Sequence, residues 1–397
     1  MIEIEDLIHA YMVARGNKKR SPDQVEFELH WHSKLLRLYH QVLSRSVRPT
    51  AYTFICKTPK PREVFASDMS TRILHHYLNI RLRPLLEKKM SRHTFNNRVG
   101  MGQTACQSAV ISDIYEMSAG FTRDAWIIKL DLSGCFPNII QDVAYKQLEE
   151  VILNDYHGRD KDELIYMLSI CIFSYPTHHC FRKSRFDEWK MIPPEKSLFN
   201  KPDGIGSAIG HLIWQNAVNY YFHEIDEWFM SIPEIRFERY VDDMFIITHS
   251  KDALLLIPEL RRRLAALGAH LNEKKFYCQH YTKGVECLGT HIKLDRIYPN
   301  RRTVLRAMAK VQSFKYCVRK SRIDALLASL NSYTGIFKNI NGFSIAYDMA
   351  DALDKRWAEF VHFDRRRVCF VANEGYRHRQ RICEKYGLLD PKKRRRL

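Results

Sequence analysis

The sequence predicts a mixed α+β chain built from two or three subdomains, and three observations carry that prediction. Its 397 residues exceed the roughly 250–300 that a single core organises. Long stretches with helical spacing of apolar residues are interrupted by a few short β-type runs bounded by turn residues. A content of 45% hydrophobic and 12% aromatic residues excludes a dominantly disordered chain, a collagen-like repeat and a disulfide miniprotein. No apolar run approaches the roughly 18 residues of a membrane span. The opening MIEIEDLIHAYMVARG has an acidic amphipathic pattern rather than a basic-then-apolar signal, so a cytoplasmic protein with no membrane partner is expected.

Taken in order, residues 1–50 read as helical and end near Arg48-Pro49. Residues 52–56 and 63–66 read as two strands joined by the Pro-broken basic turn KTPKPR, a hairpin with a cationic tip. Helical spacing recurs over residues 70–90 and 104–117, and the β-type run 126–130 leads directly into Asp131. Between 175 and 206 the chain is rich in Pro, Lys and Arg without periodicity, which predicts an ordered insert or a loop. One helix is expected over 209–228, with His211, Gln215 and Asn219 at i, i+4 and i+8 forming a polar stripe that lines a cleft. RFERYVDDMFIITHS, residues 236–250, places Asp242 and Asp243 between β-type runs. Neighbouring strand residues face opposite ways, so the two acids serve one site only at a tight hairpin tip. Two acids at a tip are also ordinary turn chemistry.

Charge narrows the partner. With 63 Lys+Arg against 45 Asp+Glu the formal charge is +18, and 20 Tyr, 21 Phe and 6 Trp accompany it. That combination favours nucleic acid over a membrane surface. The ten cysteines contain no C-x-x-C pair, so reduced, buried thiols are expected rather than a zinc ribbon or a disulfide frame. His178, His179 and Cys180 cluster without further ligands at metal spacing. Asp131 at a strand end and Asp242-Asp243 at a hairpin tip bring three carboxylates toward one sheet face, where they repel unless cations relieve them. Two Mg²⁺ ions would relieve them and serve an in-line phosphoryl transfer.

These segments resemble the reverse transcriptases, and most closely those of diversity-generating retroelements. The resemblance runs in order through PKPRE (59–63), KLDLSGCFPNI (129–139), W-x-x-I-P-x-x-K-S-L-F (189–199) and GSAIGHLIWQ (206–215). It continues through RYVDD (239–243), LNEKK (271–275) and KGVECLG (283–289), with Asn331, Ser332, Tyr333 and Gly335 resembling a thumb helix-turn. The resemblance implies a right-hand polymerase: a helical extension over 1–50, fingers over 51–125, and a palm with an antiparallel sheet over 126–290. Within the palm, about 150–205 is a finger-associated insert, and 291–397 forms a helical thumb with a basic tail ending in PKKRRR.

By the same resemblance Asp131, Asp242 and Asp243 hold the metals, and Lys275 protonates the departing pyrophosphate. Lys60 and Arg62 grip the incoming triphosphate, while Phe136 stands under the sugar and excludes a 2′-hydroxyl. Ile209 and Gln215 contact the nascent pair, and His211, Asn219, Leu288 and Gly289 contact primer or template. An aliphatic residue before Gly210 and Gln215 at the motif's end match the diversity-generating subgroup, whereas Ala208, His211, Ile213 and Trp214 depart from its usual Pro, Asn, Thr and Ser. The implied activity is error-prone, adenine-directed copying of a template RNA with flanking structured RNA, from a DNA or RNA primer and dNTPs. A small, basic, helical, oligomeric accessory variability protein is the implied partner. A group II intron-like or retron-like reverse transcriptase is the alternative within the class; a non-catalytic RNA-binding factor on a polymerase scaffold is the alternative outside it.

Overall fold

The computed structural model describes residues 1–16, 21–57, 60–316 and 318–373. The chain forms two compact units, Met1–Gln279 and His280–Leu397. The basic run at 391–396 and Pro59 of the PKPRE run lie outside the described residues.

The first unit opens with α1 (Ile4–Arg15), α2 (Pro22–Leu29) and α3 (Trp31–Leu43). Ser21 starts α2 by accepting a hydrogen bond from the Gln24 amide, with Pro22 at the first helical position, where its missing N–H costs nothing. The expected hairpin follows as β1 (Ala51–Cys56) and β2 (Arg62–Ser67), with Ile55 opposite Glu63 and Cys56 opposite Arg62. Burial alternates along both strands, the mark of a sheet with one covered face. Then come α4 (Met69–Lys89), β3 (Thr94–Phe95), α5 (Gln103–Met117), β4 (Trp126–Asp131), the one-turn α6 (Cys135–Asn138), α7 (Gln141–Asp155) and α8 (Lys161–Ile172). The segment 175–206 carries short secondary-structure elements. It contains β5 (Cys180–Arg182), parallel to β1, and short 3₁₀ turns between Phe186 and Asn200.

The expected helix over 209–228 is in fact two, α9 (Leu212–Tyr221) and α10 (His223–Met230), broken at Phe222. Ile209 therefore precedes the helix rather than belonging to it. Gly210, at φ +110, forces this exit: a Cβ there would lie 2.5 Å from the Phe65 carbonyl oxygen, a contact no side chain tolerates. The unit closes with β6 (Ile235–Tyr240), β7 (Asp243–Thr248), α11 (Ile257–Ala266) and β8 (Tyr277–His280). Its central sheet runs β3-β6-β7-β4-β8, with β4 and β6 both antiparallel to β7. Strands β4 and β7 are buried at nearly every position, because helices cover the sheet.

The second unit carries β9 (Val285–Cys287), β10 (Thr290–Lys293) and β11 (Arg296–Pro299) as one antiparallel sheet. After it come α12 (Arg301–Ser313), α13 (Ile323–Lys338), α14 (Phe343–Asp351) and the hairpin β12 (Val361–Asp364) with β13 (Cys369–Ala372). Asn331, Ser332, Tyr333 and Gly335 lie inside α13, which corrects the helix-turn expected there. Asn331 instead exchanges two hydrogen bonds with the backbone of Phe370, at 2.8 and 2.7 Å, pinning α13 to β13. Among the described cysteines, Cys106, Cys135, Cys171 and Cys287 are buried, but Cys56 is exposed, which corrects the expectation of uniformly buried thiols. Among the described residues no helix is long and apolar enough to cross a membrane.

Candidate active site

The site is built around a two-residue hairpin tip. Tyr240 pairs with Asp243 across β6 and β7, leaving Val241 and Asp242 to turn the chain. Val241 has φ +57, a conformation that costs a β-branched residue on the order of 1–3 kcal/mol. Buried Arg239 supports it: the guanidinium donates to the Val241 carbonyl at 3.2 Å, pairs with Asp226 at 2.6 Å through two nitrogens, and donates to the Asn219 carbonyl at 2.8 Å.

Asp131, the last residue of β4, stands directly opposite Asp243. It is buried, and Asp242 and Asp243 are half-buried. Lys275 Nζ donates to Asp131 Oδ1 at 2.5 Å and Asn272 Nδ2 to Oδ2 at 3.0 Å. Buried Lys129 lies 3.4 Å from Asp243 Oδ1. Burial first, then the charges of Asp243 and Asp131, push the Asp242 carboxyl up to about 6. Burial also raises Asp243, with Lys129 pulling the other way. No set of three His, Cys, Asp or Glu side chains among the described residues is drawn tightly enough to enclose a metal as placed. The donor chemistry nevertheless suits a hard divalent cation: carboxylate oxygens on adjacent strands, with mutual repulsion that such a cation would relieve.

A cleft of about 510 Å³ opens over Asp131 and Asp242. Lys60, Arg62, Phe136, Ile209 and Lys275 line it as well, so the structure gathers seven of the sequence-selected residues around one space. Phe136 sits on α6, where its carbonyl accepts the Ser207 amide at 2.8 Å. The Ile209 carbonyl accepts the Phe65 amide at 2.7 Å, tying that wall to the basic hairpin.

The polar stripe is not a cleft lining, which corrects the reading of His211, Gln215 and Asn219. His211 is only 1% exposed and packs on His75, ring centroids 4.9 Å apart; among the described residues neither ring nitrogen has a hydrogen-bond partner. Burial pushes its pKa down to about 4, so it is neutral near pH 7. Asn219 is equally buried and donates to the Asn96 carbonyl at 2.7 Å. Neither can reach primer or template as placed. Gln215 is exposed but does not line the cleft. Leu288 (φ +52) and Gly289 (φ +84) form the two-residue turn between β9 and β10 in the second unit; consecutive positive φ values are what call for glycine there.

Sequence reasoning missed Asn272, Lys129, Lys196 and Glu63. Lys196 lines the cleft with Lys60 and Arg62. Glu63 is buried and accepts hydrogen bonds from Trp189 Nε1 (2.9 Å), Ser197 Oγ (2.9 Å) and the Leu198 amide (2.7 Å). It clamps the segment 189–198 to the β1–β2 hairpin. All four stand inside segments singled out by resemblance, but only contacts reveal what they do.

The model of the family described as reverse transcriptase (RNA-dependent DNA polymerase) matches residues 57–292. The chain belongs to the reverse transcriptase family. Its architecture is the α+β right-hand polymerase fold, and reverse transcriptase domains generally use divalent metal ions. A curated relative, the "Putative COX1/OXI3 intron 1 protein" of Saccharomyces cerevisiae, is 27% identical over 176 residues, 43% of this chain and 17% of that protein. Solved structures similar to this reverse transcriptase include apo telomerase from Candida tropicalis, 13% identical with a TM-score of 0.48, covering 83% of this chain and 62% of that one. Telomerase from Candida albicans with a TWJ fragment of telomeric RNA is 14% identical, with a TM-score of 0.42 and coverage of 85% and 63%. The chain thus spans less than two thirds of each of these relatives.

Proposed function

We propose that this chain is the RNA-directed DNA polymerase of a diversity-generating retroelement, copying a template RNA into cDNA with errors opposite adenine, in the cytoplasm. The observation that carries the subgroup is Ile209: an aliphatic side chain stands on the cleft wall, immediately before Gly210, where most of the family carries a polar Gln. In this reading Asp131, Asp242 and Asp243 hold two Mg²⁺ ions, which when bound activate the primer hydroxyl and offset charge on the leaving group. Lys60 and Arg62 bind the triphosphate, Arg by bidentate pairing with its oxygens. Phe136 excludes a 2′-hydroxyl from the sugar site. Lys275 Nζ holds a proton at the cleft floor for the pyrophosphate oxygen. Residues 51–125 serve as fingers, 126–290 as palm and 291–397 as thumb, and Leu288-Gly289 as a primer contact. Structured RNA around the template and a small, basic accessory protein are the partners.

A second reading, an intron-type reverse transcriptase such as the group II class, is favoured by one observation: the yeast relative is named as an intron 1 protein. Extension of a primed RNA template with Mg²⁺ and dNTPs, followed by sequencing of the cDNA, separates the two. Substitutions concentrated opposite template adenines support the retroelement; uniformly faithful copying supports the intron type; no cDNA overturns both.

A further inference from the structure

Two buried carboxyl groups meet behind the carboxylate tip, and the site described above uses neither. Asp113 of α5 is 7% exposed and Glu238 of β6 is 1% exposed, and the two stand within hydrogen-bonding reach of each other. The register sets Glu238, Phe245 and Lys129 in one row across β6, β7 and β4, and Tyr240, Asp243 and Asp131 in the row two residues on. Residues two apart on a strand share a face. Glu238 therefore lies on the same side of the sheet as Asp131 and Asp243, one row behind them.

Among the described residues no cation is hydrogen-bonded to either carboxyl. Arg92 Nε donates to His93 Nε2 at 3.0 Å, which leaves the proton of a neutral ring on Nδ1, and Nδ1 donates to Glu238 Oε1 at 2.7 Å. Burial, ahead of the neighbouring charges, lowers the His93 pKa, so this contact is a neutral hydrogen bond near pH 7 rather than an ion pair. The other cations nearby are committed elsewhere: Arg236 of β6 to Glu116 of α5 at 3.2 Å, Arg239 to Asp226 of α10 at 2.6 Å, and Lys129 of β4 toward Asp243 at 3.4 Å. Strand β7 presents only Phe245 opposite Glu238. Asp113 Oδ2 and Glu238 Oε2 have no hydrogen-bond partner among the described residues. Two ionised carboxylates in contact are both acceptors and repel; a proton between them supplies the missing donor and removes a charge.

From this arrangement we infer that Asp113 and Glu238 hold a proton between them, making a pH-sensitive latch that fastens α5 to the central sheet behind the carboxylate tip. Burial first, then the Glu238 charge, pushes Asp113 up to about 8. Burial pushes Glu238 up to about 8, against the pull of the hydrogen bond from Asp113. The titration belongs to the pair rather than to either residue. Lifting α5 would expose both groups to water and return them toward their ordinary values of 3.8 and 4.5, so opening releases protons. The latch is therefore at full strength below about 4 and is lost as pH rises through about 8. It needs no template, metal or particular activity.

The test is hydrogen exchange of the full chain at about pH 6 and about pH 8, corrected for the intrinsic pH dependence of exchange, with amides of α5 read against those of β4. An opening that releases one proton grows by up to about tenfold per pH unit. Protection of α5 should accordingly fall by about tenfold or more between the two conditions, with a much smaller change in β4. Asp113→Asn with Glu238→Gln keeps a donor and an acceptor in place but has no proton to lose, so its α5 should follow β4 at both pH values. Asp113→Asn alone, with one ionisable group left, should show a smaller fall than the native chain. Equal pH dependence of α5 and β4 in the native chain overturns the latch, as does a fall of native size in the double amide. Should the double amide not fold, a fall of native size in Asp113→Asn overturns it instead.

Discussion

Lys275 Nζ lies 2.5 Å from Asp131 Oδ1, so an exposed lysine reaches down to a buried carboxylate at the end of the central strand. Asn272 occupies the other oxygen. One of the three acids is thereby fully paired, whereas burial and its acidic neighbours set Asp242 at about 6. The three carboxylates are not equivalent: Lys275 and Asn272 hold Asp131, whereas burial and the neighbouring acids raise Asp242.

Asp242 favours its protonated form in the folded chain, since its pKa is raised from 3.8 to about 6. Its contribution to stability is therefore full below 3.8 and is lost as pH rises through about 6. In a chelator, melting temperature should show a falling component across that window. Mg²⁺ should restore it, with a larger upward shift near pH 7.5 than near pH 5, and Asp242→Asn should flatten both dependences. A Mg²⁺ shift independent of pH would contradict the assignment of Asp242 as a ligand.

Asp242→Asn or Asp243→Ala should abolish cDNA synthesis while template RNA binding stays within about twofold, because backbone electrostatics come from the many Lys and Arg rather than from the acids. Primer extension and filter binding on the same preparations read the two effects. Appreciable synthesis by either variant would remove the carboxylates from the chemistry.

Phe136 stands in the cleft on a helix anchored through Ser207. Replacing it with Ala should open room for a 2′-hydroxyl and raise ribonucleotide incorporation relative to deoxyribonucleotide by at least about tenfold, the effect of one steric contact of about 1–3 kcal/mol. Single-nucleotide incorporation measures this. Unchanged sugar discrimination would assign the ring to packing alone.

Arg239 is completely buried, with Asp226 as its charge partner. Arg239→Met should cost about 3–5 kcal/mol by stranding the Asp226 carboxylate and releasing the Val241 carbonyl. Urea unfolding measures the loss, and Arg239→Met with Asp226→Leu should recover much of it. A neutral single variant would show that the strained tip needs no such support.

Ile209→Gln should lower misincorporation opposite template adenine. A hydrogen-bonding side chain on that wall can penalise a misaligned pair, whereas an aliphatic one discriminates shape by only about 1–3 kcal/mol. Sequenced cDNA from the two proteins under identical conditions decides. Equal error frequencies would take Ile209 out of the account of mutagenesis.

Short-range pattern in the sequence determined the 51–67 hairpin, the strand ending at Asp131 and the carboxylate tip at Asp242-Asp243, because alternation and turn chemistry are properties of neighbouring residues. The tertiary structure decided the fate of His211, Gln215 and Asn219. Helical spacing put them on one stripe, but α9 is buried at eight of its ten positions, and each residue meets a different surrounding. His211 faces His75, Asn219 meets the Asn96 carbonyl, and Gln215 meets solvent. The supports of the site were likewise decided by the fold: Glu63 reaches the insert about 130 residues away along the chain, and Arg239 needs Asp226 from a separate helix. Periodicity states which residues share a face; what covers that face depends on segments distant in sequence, whose arrival only packing sets.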